Sequence, residues 1–230
     1  MPADLQSIAD PRLLLLAWAG GLALVASWIS WLRIVGSGFI WLTSGTAALV
    51  GLAGVFSEGG WWARAALVLA VAGAWRARDR ELSSALLLAA GVCYAIQGSL
   101  FGGWLPTLTA AIALGGVTGE MLLGHWYLID PRLPRSALVT LATAGIAGLA
   151  LEGLLVVWLD IGLGGGAVAF WVLLVTSIVL MAAVIGALRY PAYSGVMAAT
   201  GLSYLALLTT LGAVFVGRAV SAGLGPFALG

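Results

Sequence analysis

The chain has no lysine, and its ten arginines and nine acids are separated by runs of about 20 or more consecutive apolar residues. That spacing constrains the fold more than any other feature. Apolar residues make up 62% of the 230 positions and charged residues 8%, against about a quarter charged in an ordinary globular domain. So few charges cannot cover a water-facing surface, so the medium around most of this chain is hydrocarbon.

A helix crosses the bilayer with about 20 apolar residues. Residues 13–32, 34–56, 82–101, 105–129, 136–159, 166–188 and 194–216 reach that length. An eighth run, 61–75, carries Arg64 in its first turn and as a helix extends about 22 Å, so it spans only if Arg64 snorkels and the bilayer thins. The expected fold is therefore all-α: a single transmembrane bundle of eight spans, or seven if residues 61–75 stop short. A short polar segment (1–12) precedes it and a short tail (217–230) follows. The first apolar run is too long for a signal peptide and lacks a small-x-small cleavage site.

With eight spans, Arg33, Arg76, Arg78, Arg80, Arg132, Arg135 and Arg189 share one side and Arg12, Arg64 and Arg218 the other. The positive-inside rule makes the first group cytoplasmic and puts the C-terminus outside. With seven, the split becomes eight against two and the N-terminus moves inside, so the rule does not choose between them. The expected location is a bacterial or archaeal cell membrane. Trp28, Trp31, Trp61, Trp62, Trp104, Trp126 and Trp158 fall near the proposed helix ends, where indoles favour the headgroup region. The 33 glycines fit close helix–helix approach, with small-xxx-small pairs at Gly91/Ala95, Ala144/Gly148 and Gly162/Gly166. Gly164–Gly166 reads as a turn.

Two acids lie deep inside spans. Glu120 is about 15 Å from the Asp130 end of its helix and Glu152 about 25 Å from Arg135. Intramembrane acids cost about 2.5–3.5 kcal/mol at the bilayer centre and are read as functional by default. Glu120 shares a helix face with Gly116, Gly124 and Tyr127, and Glu152 with Gly145 and Gly148, so both should face other helices. They are candidates for a proton relay, their depths differing by about 10 Å, or for packing glue. His125, the only histidine, lies near the cytoplasmic end and is a candidate, with Tyr127, for a quinone ring or lipid phosphate. Gln97, Cys93, Tyr94, Thr200, Ser203 and Tyr204 are lesser candidates that suit interhelical hydrogen bonds. Arg76, Arg78, Arg80, Arg132 and Arg135 are candidates for docking partners at the cytoplasmic face.

The inventory also excludes. Without lysine there is no retinal or PLP Schiff base. One histidine cannot give bis-imidazole haem ligation, one cysteine gives no CxxC site, and no HExxH motif occurs. Asp130 and Asp160 end helices, unlike a mid-membrane aspartyl pair. No basic cluster of the kind nucleic acid requires is present. An autonomous enzyme, a metal site and a covalent cofactor are not expected. The leading expectation is a membrane subunit of a larger respiratory or electron-transfer complex. It would have no redox centre of its own, anchor other membrane or peripheral subunits, and contribute a quinone pocket or proton path, with quinone or lipid as the bound small molecule. The alternatives are a small proton- or cation-coupled transporter or channel, and a structural or assembly protein.

Overall fold

The fold is known from a computed structural model that describes residues 11–58, 60–158 and 166–221. Residues 1–10, Asp160, Gly162 and the tail beyond 221 lie outside the described residues, as do the first two glycines of the 164–166 turn. Eight helices and no strands occur among the described residues: α1 Pro11–Leu32, α2 Ser37–Glu58, α3 Trp61–Trp75, α4 Arg80–Gly102, α5 Trp104–Tyr127, α6 Arg135–Trp158, α7 Ala167–Arg189 and α8 Tyr193–Ser221. All but α3 are long and apolar enough to cross a membrane. The chain is thus a helical membrane bundle, and each helix lies where its apolar run predicts.

Local chemistry sets the ends. Asp79 caps α4 by accepting from the Leu82 N–H at 3.2 Å, meeting one of the orphan donors of a helix start. Gly103 separates α4 from α5 at φ +84°, a backbone conformation that glycine adopts without a Cβ clash. Residues 128–134, containing Pro131 and Pro134, form the longest described connection.

Side-chain contacts sort the helix ends into two layers. In one, the Arg33 guanidinium pairs with Glu81 at 2.5 Å and Arg80 donates to the Arg33 carbonyl at 2.9 Å. The ends of α5 and α7 lie in this layer too, where Tyr193 donates to the Leu128 carbonyl at 3.2 Å. The opposite layer holds the start of α3 beside Gln97 and the start of α1 beside Gly102. Because Arg33 and Arg80 meet, α2 and the 15-residue α3 must carry the chain out and back. The seven long helices run between the same two layers, and the shorter α3 runs alongside α4 from the level of Gln97 to that of Ser83.

Glycine governs how closely they approach. A Cβ on Gly21 would overlap the Ala111 carbonyl, and one on Gly115 would fall 2.7 Å from the Gly21 Cα, so α1 and α5 touch backbone to backbone. On the other side of α5, a Cβ on Gly116 would fall 2.5 Å from the Gly145 nitrogen and one on Gly148 would overlap Ala113. Helix α5 is consequently buried along most of its length and joins an α1–α4 group to an α6–α8 group. Reciprocal bonds between Ser27 and Ser84 fasten α1 to α4, and Trp18 Nε1, donating to Thr118 Oγ1 at 2.9 Å, fastens α1 to α5.

Two outcomes test this arrangement. Gly148→Val should lower the thermal midpoint of the detergent-solubilised protein, since overpacking costs about 1–3 kcal/mol. Gly186→Val, whose Cβ meets nothing within 4 Å, should leave it unchanged. In a Cys93→Ala background, Gly36→Cys, Arg78→Cys and Arg132→Cys should all react with a membrane-impermeant maleimide from the same side. Opposite-side labelling at positions 36 and 78 would mean that α3 does not cross.

Candidate functional site

The two deep acids face different environments. Glu152, on α6, is turned into the bundle toward the opposite layer from Arg80. Its Oε1 accepts from Arg218 Nη2 at 2.6 Å and from the Thr109 hydroxyl of α5. Arg218 also donates to the Pro106 carbonyl at 2.8 Å. Acid and base side chains are only 4% and 6% exposed, so the pair is desolvated. It ties α5, α6 and the end of α8 together. Removing one partner of such a pair strands a buried charge and costs about 3–5 kcal/mol.

Glu120 has no such compensation. It is 0% exposed, and neither carboxyl oxygen has a hydrogen-bond partner among the described residues. It lies about 10 Å from the Tyr127 end of α5 and faces α8. There the Ser203 hydroxyl lies alongside the carboxyl. A Cβ on Gly124 would fall 2.9 Å from Thr200 Oγ1 and 3.6 Å from Glu120 Oε1. Thr200 and Ser203 direct their protons to their own helix, at the carbonyls of Val196 (2.9 Å) and Ala199 (2.7 Å). Their oxygens face the carboxyl in that geometry, and a turn of the Ser203 hydroxyl lets it donate to Glu120 instead.

The acids are not adjacent. Along α5, Thr109, which contacts Glu152, lies about 16 Å from Glu120, more than the 10 Å depth difference read from the sequence. Glu152 is engaged at the far end of α5 rather than halfway.

The remaining candidates divide between surface and scaffold. His125 is exposed, its Nδ1 3.4 Å from the hydroxyl of Tyr204, on the seam between α5 and α8. Tyr127 is buried and lies under the Arg135 guanidinium, 5.9 Å from ring centroid to Cζ. Arg135 donates to the carbonyls of Leu188, Tyr190 and Pro191 at 3.2, 2.5 and 2.8 Å, so it staples the turn between α7 and α8. Gln97 is buried and its Oε1 accepts from the Ala63 N–H at 3.4 Å, capping the start of α3 from α4. Arg80 is bound to the end of α1, whereas Arg76, Arg78 and Arg132 are exposed. Half-buried Cys93 has no disulfide, and no cluster of three or more His, Cys, Asp or Glu side chains occurs among the described residues.

Two grooves open sideways toward the hydrocarbon. One, about 470 Å³, lies between α5 and α6 and is lined by Leu105, Leu151, Leu154, Leu155 and Trp158, with the Thr109 hydroxyl as a polar edge. The other, about 260 Å³, lies where α1, α5 and α6 meet, beside Gly21, Trp28 and Gly116.

Sequence reasoning missed Arg218. Three residues from the end of its helix, it reads as an interfacial charge. The available signal was charge balance, since a buried Glu152 needs a cation and Arg218 is one of only three arginines on that side. Compared with protein-family models, with curated proteins and with solved structures, the chain matches none.

The contrast between the acids is measurable in detergent unfolding. Glu152→Gln should lose about 3–5 kcal/mol, the cost of removing the carboxylate from a buried ion pair, and Glu152→Leu combined with Arg218→Met should recover most of it. Glu120→Gln should change stability by less than about 1 kcal/mol, because no ion pair is broken and the amide oxygen can still accept from Ser203. Equal destabilisation by the two Gln variants would make Glu120 a packing residue.

Proposed function

We propose that this chain is an integral membrane subunit of a larger respiratory or electron-transfer assembly, without a redox centre of its own. In that assembly it anchors partners and carries a proton-exchanging group at Glu120. The observation that carries the reading is the Glu120 carboxyl, buried on the most enclosed helix with no counter-ion among the described residues. A fold that needed an acid only as glue would use it as Glu152 is used. A buried carboxyl without a counter-ion is costly to keep, and proton-coupled chemistry accounts for keeping it.

Three features support the subunit role. The described connections are too short to hold a catalytic domain. Arg76, Arg78 and Arg132 are exposed in one layer, where acidic partner surfaces or lipid headgroups can meet them. The lateral grooves admit molecules from the hydrocarbon, and 470 Å³ lies within the range of small-molecule sites, so a quinone or lipid is the ligand class they fit. By the positive-inside rule the arginine-rich layer is cytoplasmic and α8 ends outside, in a bacterial or archaeal cell membrane. An ion-coupled transporter is the second reading, favoured by the same unpaired carboxyl.

Affinity purification through a tag on this chain, after mild solubilisation, should bring down haem- or iron–sulfur-containing subunits. In that complex Glu120→Gln should lower quinone-dependent turnover by about tenfold or more with the subunits still bound. A lone chain that drives ion flux in vesicles, abolished by Glu120→Gln, would favour the transporter.

A further inference from the structure

We infer that Glu120, Thr200 and Ser203 form a binding site for sodium in the seam between α5 and α8, where the ion competes with the proton. This rests on the reading of Glu120 as an exchanging group and names a second occupant for it. The argument begins with charge. The site holds one carboxyl, and the described ion pairs, Arg33–Glu81 and Arg218–Glu152, leave Glu120 out. One carboxylate in a low-dielectric interior is neutralised by one positive charge, which selects a monovalent cation over a divalent one.

Donor chemistry points the same way. The Thr200 and Ser203 hydroxyls reach the Val196 and Ala199 carbonyls, and Ser203 also lies within hydrogen-bonding reach of the carboxyl; with both protons on the carbonyls, the two hydroxyl oxygens face an ion held by Glu120. A single proton satisfies one donor–acceptor line among these atoms. A hard cation engages several oxygens at once. The space is small and is set by Gly124, since any side chain there would enter the gap between Thr200 Oγ1 and Glu120 Oε1. A small ion is therefore favoured over a larger one such as potassium.

The seam carries further polar side chains. His125 and Tyr204 lie exposed on it, one residue from Gly124 and from Ser203 respectively. An ion arriving from the arginine-rich layer meets polar groups before it reaches the carboxyl.

The test uses the full chain in detergent, with dicyclohexylcarbodiimide as probe, because this reagent modifies protonated carboxyls in apolar surroundings. At constant pH and ionic strength, sodium chloride should slow modification of Glu120 at least fivefold relative to potassium or choline chloride. Sodium alone should also raise the thermal midpoint of the wild type and not of Glu120→Gln. Thr200→Val and Ser203→Ala should still be modified but lose the protection by sodium. Modification that proceeds equally in all three salts, with no sodium-dependent midpoint, overturns the sodium site and leaves the proton role of Glu120 standing. If Glu120 is not modified and sodium does not shift the midpoint, both the sodium site and the exchanging carboxyl are overturned.

Discussion

Hydrocarbon gives helices no hydrophobic reason to associate and offers backbone polar groups no hydrogen bonds. What holds this bundle together is the distance at which its backbones meet. Helix α5 brings Gly115 against Gly21 of α1 and Gly116 against Gly145 of α6, two consecutive glycines serving two different neighbours. At that range dispersion contacts accumulate along both seams. The rest of the architecture follows, because an α5 held on two sides has its remaining face turned toward α8, and Glu120 lies on that face.

The same medium explains why the two acids diverge. Near one end of the bundle, Glu152 meets a guanidinium, a threonine hydroxyl and a helix that supplies a carbonyl for the same guanidinium. It is a closed electrostatic unit that fastens three helices. Glu120 meets the hydroxyls of α8 and no counter-ion among the described residues. Two residues of one chemical type, each inside a span, thus differ in whether a charge faces them, and the difference lies in what the neighbouring helix presents.

The outer faces tell a related story. Trp31, Trp61, Trp104 and Trp158 are exposed near helix ends, as indoles at a headgroup boundary are, and apolar side chains cover much of α7 and α8 between them. Exposed charge among the described residues is confined to the layers, above all to the one with Arg76, Arg78 and Arg132.

Hydropathy runs placed every helix, because a segment in hydrocarbon must satisfy its backbone internally and so must be helical over a bilayer's thickness. The inward orientation of both acids was legible for a similar local reason, since each shares a helix face with glycines. The pass of α3 was not, because a 15-residue run with Arg64 in its first turn is ambiguous until Arg33 is seen beside Glu81. Nor was the partnership of Arg218 with Glu152, or the scaffold roles of Arg135 and Gln97. These depend on contacts across 66, 53 to 57 and 34 positions of chain respectively. Spacing along one helix states which residues share a face. Which foreign atoms that face meets is decided only when the helices pack.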